Sequence, residues 1–221
     1  MAPFDPAVLD AFKEFDSATI FNALVLKTGL PNEEYTNHSI RCLLPDCGSA
    51  IGYAVTSEVT TNDPDSPALD WLDYYEYLEA TPGPLIAVMK DVDSRPGRGA
   101  SFGDGMATIH QRLGVVGAIV DGTVRDLVGI RKVGLPIWAW GTVPGHGVFN
   151  ITRFNTPVTV GAVRVRPGDL IFSDADGCVR IPSQDAEEIL RLADGVRTRE
   201  AGIFALYRSP DFTVSKLRQA R

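Results

Sequence analysis

Val8, Phe12, Phe15 and Ile20 recur at helix-like steps near the start of the chain, and Asp16-Ser17 offers a cap for a second helix over 19–27. Gly29-Leu30-Pro31 stops that helix. Residues 51–60, IGYAVTSEVT, alternate and are rich in β-branched side chains, which predicts a strand. A turn-rich loop at 62–67 leads into a predicted helix over 68–80, with Leu69, Leu72, Tyr75 and Leu78 as its apolar positions. From Thr81 the pattern becomes a rhythm. Strands at 85–89, 115–120 and 136–140 alternate with helices at 105–113 and 124–133, and a Gly/Pro/Arg-rich loop fills 91–103. Such a βαβαβ rhythm predicts parallel pairing with helices as crossovers.

After Gly141 the elements shorten. Strands at 157–160, 163–165, 170–173 and 178–181 are separated by Gly and Asp turns and predict an antiparallel layer. A closing helix over 183–201 has Ser183 as its cap and Glu187-Glu188 in its first turns. With the N-terminal helices at 5–28 and no linker or repeat, the expectation is one α/β domain spanning 1–221.

Composition narrows the function classes. The chain has 44% hydrophobic and 22% charged residues, as an ordinary globular protein does, and no apolar run approaches the ~18 residues of a membrane span. The start, MAPFDPAVLDAFKEFDSATI, has neither a basic region nor an apolar core of the secretory kind, so a cytoplasmic location is expected. A formal net charge of −7 argues against nucleic acid as the main partner, and no membrane partner is expected. His38, Cys42 and Cys47 invite a zinc reading, but their spacing matches no standard finger and a fourth ligand is missing; buried thiols are the simpler expectation.

Two stretches carry chemistry. GRGASFGDG, residues 97–105, lies between a strand and a helix, where α/β proteins bind ligands. A dinucleotide fingerprint does not fit, because Val92-Asp93-Ser94-Arg95-Pro96 intervene before the first glycine and the spacing is not G-x-G-x-x-G; a plain glycine-rich loop remains open. Asp104 just precedes the helix, and the N–H groups of Gly105, Met106 and Ala107 would form an anion site there, although Asp104 could simply cap the helix. VDGTVRD, residues 120–126, follows the apolar strand. Asp121-Gly122 is expected to open a turn, while Arg125 and Asp126 start the next helix at the same edge as Asp104. A guanidinium suits a carboxylate or enolate, and an aspartate suits a hard divalent cation. A structural Arg125–Asp126 ion pair is the bland alternative.

The arrangement D-x20-R-D formed by Asp104, Arg125 and Asp126 resembles the active-site signature of the 4-hydroxy-4-methyl-2-oxoglutarate aldolases, a family that includes the regulator of ribonuclease activity A and was formerly classed with menaquinone methyltransferases. The resemblance extends through LGVVGAIVDGTVRDLVGIRKVGLPIWAWG and VRPGDLIFSDADGCVRIP, and covers about residues 45–190. It implies a single-domain β/β/α sandwich related to phosphohistidine swivelling domains, with flanking N- and C-terminal helices, assembled as a homotrimer or hexamer. It further implies Mg²⁺ or Mn²⁺ held by Asp126, with Asp104 acting through water. Arg125 would bind a 2-oxo acid, and the N–H groups near Gly105 and Met106 would take its carboxylate. The family pattern continues R-D-x-x-E/D, and Gly129 stands at the final position here.

Cleavage beside a 2-keto group leaves an enolate that needs a metal or a lysine Schiff base as electron sink. Asp126 favours the metal; Lys90 is the lysine nearest the proposed site. Oxaloacetate decarboxylation passes through the same enolate. Structural roles are expected for His110, His146, Trp138 and Trp140, although His146 could lie near a mouth of the site or at a subunit contact. Loops 62–69 and 141–154 are expected to shape the pocket. The contrasting reading is a non-catalytic, ring-shaped regulator that binds another protein.

Overall fold

The computed structural model describes residues 4–219. Helices α1 (Pro6–Phe12) and α2 (Ser17–Thr28) open the chain, and the Asp16 carboxylate caps α2 by accepting from the Thr19 N–H at 2.6 Å. β1 (Arg41–Cys42), β2 (Ala50–Thr60), α3 (Trp71–Ala80), β3 (Leu85–Asp91), β4 (Ala100–Phe102), α4 (Asp104–Arg112), β5 (Val115–Val124), α5 (Leu127–Val133) and β6 (Ile137–Thr142) follow. β7 (Asn150–Phe154), β8 (Val158–Val160), β9 (Val163–Val165), β10 (Leu170–Ser173), β11 (Cys178–Ile181), α6 (Ala186–Arg208) and α7 (Val214–Gln219) complete it.

The main sheet runs β1-β6-β5-β3-β2-β10-β11, with β4 paired to β5 and β7 to β2. Its centre, β2-β3-β5-β6, is parallel as the alternation with helices predicts, and its flanks are antiparallel. Alternation along β3 divides the core. Leu85, Ala87 and Met89 join Phe12, Leu24, Leu78, Ile130 and Ile189 under the helices. Ile86 and Val88 face the other way, onto Val158, Val160, Val163 and Val165 of the β8–β9 hairpin. The result is a mixed α/β domain of three layers: hairpin, curled sheet and helices. No helix among the described residues is long and apolar enough to cross a membrane.

Several boundaries differ from the pattern's forecast. α3 begins at Trp71 and turns Tyr74 and Leu78 inward. Leu72 is left 65% exposed, and Leu69 precedes the helix in a bridge to Ile151. The loop 91–103 contains β4, and the stretch after Gly141 contains β7. The last helix runs to Arg208, and Ser183 opens a short 3-10 turn before it instead of capping it.

The larger correction concerns Asp121-Gly122. β5 does not turn there; it continues to Val124, between β3, β4 and β6. Against β6 the register advances from Val120↔Ala139 to Thr123↔Gly141, so β5 carries one extra residue and the Asp-Gly pair sits in a bulge. Gly122 has no room for a side chain, since a Cβ would lie 2.9 Å from Cβ of Asp91.

Candidate active site

β4 is what gathers the site. It pairs in parallel with the far end of β5, Ala100 opposite Thr123 and Phe102 opposite Val124, and the Arg125 N–H donates to the Phe102 carbonyl at 2.9 Å. Gly103-Asp104 and Arg125-Asp126 therefore leave the sheet side by side at the carboxyl ends of parallel strands, where open α/β sheets place their ligands. Asp104, Gly105, Met106, Arg125, Asp126 and His146 border one pocket of about 220 Å³, with Phe102 and Phe149 as apolar walls.

Asp104 is the first residue of α4, not its cap; Gly103 holds the cap position and no side chain caps the helix. The Asp104 carboxylate is thus free for other work. The N–H groups of Gly105 and Met106 have no partner in the chain among the described residues, as expected for a helix N-terminus. Ala107 departs from expectation, being fully buried with its N–H committed to the Gly103 carbonyl at 2.9 Å, so it offers nothing to a ligand.

Arg125 Nε lies 3.2 Å from Asp126 Oδ2, with the two side chains 36% and 40% exposed. A solvated pair of this kind contributes about 0–1 kcal/mol, so fold stability does not account for the two charges. Asp126 also sits in the left-handed region, at φ 60° and ψ 37°. A residue with a Cβ is strained there, aspartate less than most. Asp126→Gly should therefore raise the urea midpoint and Asp126→Ala lower it, a spread of roughly 1–2 kcal/mol between the variants. Equal midpoints for the two variants would show that no strain is stored.

Asp121 and Lys90 do not enter the pocket lining. The buried Asp121 carboxylate accepts from Lys90 Nζ at 2.5 Å and from Trp140 Nε1 at 2.6 Å, a clamp across β3, β5 and β6 that holds the bulged strand end. Lys90 is thereby spent on an ion pair. Trp138 is wholly buried, with its Nε1 donating to the Asp174 carbonyl at 2.6 Å. His110 is also wholly buried: Nδ1–H donates to the Met106 carbonyl at 2.8 Å, leaving Nε2 to accept from the Tyr74 hydroxyl at 3.0 Å. That bond ties α3 to α4. Burial lowers the His110 pKa to about 4, keeping the ring neutral.

His146 borders the pocket, as the sequence allowed, and its Nδ1 donates to the Gly147 carbonyl at 2.9 Å. Loop 141–154 forms a wall through His146 and Phe149, whereas residues 62–69 are absent from the lining. Instead the Asp93 carboxylate ties that segment down by accepting from the N–H groups of Thr61 and Asn62, at 3.0 and 2.5 Å. Phe149 stacks on Trp71 at 4.9 Å and 13°, and Trp71 Nε1 donates to the Phe149 carbonyl at 3.3 Å. No periodic pattern along the chain marks this aromatic stack.

Cys42 lies on β1 and Cys47 in the turn Pro45–Cys47, and burial raises both thiols above the ordinary range; Cys178 is pushed up to about 12. Among the described residues no three His, Cys, Asp or Glu side chains gather into a metal-holding group. What the pocket offers a metal is two exposed carboxylates, Asp104 and Asp126. That all-oxygen set fits a hard ion such as Mg²⁺, which is commonly bound through one or two carboxylates and keeps several waters.

The pattern of the Aldolase/RraA family, described as RraA-like, matches residues 7–180. The chain belongs to this family. A relative from Halalkalibacterium halodurans, carrying a provisional 4-hydroxy-4-methyl-2-oxoglutarate aldolase name, is 36% identical over 116 residues, covering 52% of this chain and 54% of that protein. Protein DlpA of Legionella pneumophila is 30% identical over 104 residues, 46% of this chain and 17% of its own length. The chain thus spans about half the length of the first relative and far less of the second. Among solved structures, Streptomyces coelicolor RraAS2, described as an unusual member of the RNase ES inhibitor RraA family, superposes with a TM-score of 0.73 at 26% identity, covering 91% of this chain and 97% of that one. A Pseudomonas syringae protein shares the RraA-like fold with a TM-score of 0.79 at 22% identity, covering 100% of this chain and 96% of that one.

Proposed function

We propose that this RraA-like chain is a divalent-metal-dependent lyase that cleaves or decarboxylates pyruvyl-type 2-oxo acids, of the 4-hydroxy-4-methyl-2-oxoglutarate and oxaloacetate kind, through a pyruvate enolate. The observation that carries the reading is the convergence of Asp104, Arg125 and Asp126 with the unpaired N–H groups of Gly105 and Met106 at one pocket. Mg²⁺ or Mn²⁺, held by Asp126 with Asp104 beside it, would supply a Lewis-acid electron sink.

The chain's own groups account for the rest. The substrate carboxylate seats on the Gly105 and Met106 N–H groups, at the positive end of α4. The Arg125 guanidinium stabilises the oxygen that gains charge as the enolate forms. In the retro-aldol direction Asp104, directly or through a water, takes the hydroxyl proton at C4. The C3–C4 bond breaks, its electron pair passes into the enolate, and the same carboxylate returns a proton to C3. With oxaloacetate, carbon dioxide leaves with the C3–C4 bond's electron pair passing into the enolate, and C3 takes its proton from a water molecule, relayed by Asp104. Phe102 and Phe149 limit water at the enolate. A homotrimer or hexamer belongs to the same proposal, supported by Ile203, Phe204 and Tyr207, which stay exposed on α6 of the single chain.

The test is pyruvate release from both substrates with Mg²⁺ or Mn²⁺, then with EDTA, then with metal restored. Turnover is expected to vanish with the chelator and return with the ion. A folded, metal-supplied protein inactive on both would sink the proposal and favour a non-catalytic, ring-shaped regulator. The likeness to RraAS2 supports that second reading.

A further inference from the structure

Gly129 lies inside α5 with no left-handed backbone to justify it. A helical glycine costs about 0.5–1 kcal/mol relative to alanine, so something must offset it. The neighbour that would be displaced is Asp104. A Cβ built on Gly129 would stand 2.2 Å from Asp104 Oδ2, 2.5 Å from its Cβ and 2.8 Å from its Cγ. The carboxylate end could swing away, but the Asp104 Cβ moves only with the backbone of α4. That backbone is held by α4 itself, where the Thr108 hydroxyl donates to the Asp104 carbonyl at 2.8 Å and the Tyr74–His110 bond anchors the helix further along. The relation is reciprocal. A Cβ on Gly103, just before α4, would lie 2.9 Å from Asp126 Oδ2. Each acid of the pocket is seated over a glycine of the opposite strand-to-helix junction.

We infer that Gly129 is a positioning residue: by carrying no side chain, it seats the Asp104 carboxylate in the space that a side chain at 129 would fill. The role in metal binding rests on the proposed function; the steric seat does not.

The experiment is a double-variant cycle on the full chain with two readouts. In urea unfolding, Gly129→Ala should lower the midpoint when Asp104 is present and raise it in an Asp104→Gly background, where the seat is empty. The second readout is binding of Mn²⁺ alone, followed by electron paramagnetic resonance. Gly129→Ala should weaken it by about 10–100-fold, as Asp104→Asn does, and should add nothing further in the Asp104→Asn background. Asp104→Gly combined with Gly129→Asp should recover part of the affinity, since an acid then returns from α5. If Gly129→Ala alone does not fold while the double variant with Asp104→Gly does, the seat is supported by that difference. A midpoint raised by Gly129→Ala in the unaltered chain overturns the seat. Wild-type Mn²⁺ binding left unchanged by Gly129→Ala overturns the positioning role alone, whereas no Mn²⁺ binding by the wild type overturns the metal reading and this role with it.

Discussion

Arg125→Ala should cut pyruvate release from oxaloacetate and from 4-hydroxy-4-methyl-2-oxoglutarate by about 10²–10³-fold, mostly in kcat. Removing one preorganised donor aimed at developing negative charge typically costs this much, because the interaction is strongest in the transition state. A fall in kcat/KM carried wholly by KM would instead mark Arg125 as a uniform binder of the substrate carboxylate. Arg125→Lys keeps the charge but loses the planar fork, so its activity should fall between the two. The fold should be nearly indifferent to all this. The Arg125–Asp126 pair is solvated, and deleting it should move the urea midpoint by less than about 1 kcal/mol. A variant that loses activity and stability together would point to a structural role.

Acid should destabilise the chain through His110, which lies behind the pocket wall, bonded to Met106 and packed on Phe102. Its folded pKa is near 4, below the unfolded value of about 6.5, so between those values the unfolded chain binds more protons than the folded one. The stability that depends on the neutral ring is fully present above pH 6.5 and drains away as the pH falls toward 4. At about 1.4 kcal/mol per unit, the loss amounts to roughly 3 kcal/mol. Carboxylates add their own losses at the acid end, so the informative comparison is with His110→Gln. Urea midpoints measured from pH 7 to pH 4.5 should fall more steeply for the wild type. Parallel curves would show that His110 does not charge on unfolding.

Legibility in the sequence followed the length scale of the cause. β2, β3, β5, β6, α2 and α4 were readable because each repeats its own local period. α3 was placed but turned wrongly, because Leu69 looks helical in sequence and instead bridges to Ile151 on another strand. β4, three residues among glycines, carries no period at all; it exists because β5 offers it an edge. Asp121-Gly122 signalled an irregularity correctly and its kind wrongly. A turn and a bulge both favour glycine, and only the flanking strands with Lys90 and Trp140 decide between them. At the site, Asp104, Arg125 and Asp126 were legible as a spaced motif. The parallel β4–β5 pairing that joins them was not, nor was the packing of Asp104 onto Gly129, which depends on how closely two helices approach.

The stack of Phe149 on Trp71 has a consequence for how such a pocket changes over generations. On the proposed function, the groups that would do the chemistry stand on sheet-end junctions, while the wall that would meet the rest of a substrate is a loop pinned to α3 by that aromatic pair. Chemistry and selectivity are thus built on separate supports, and the second can drift without unsettling the first. The hinge of that drift lies at Trp71, more than seventy positions from the wall it governs. Variants that widen the range of accepted acids should therefore arise at the foot of α3 as readily as in the loop itself.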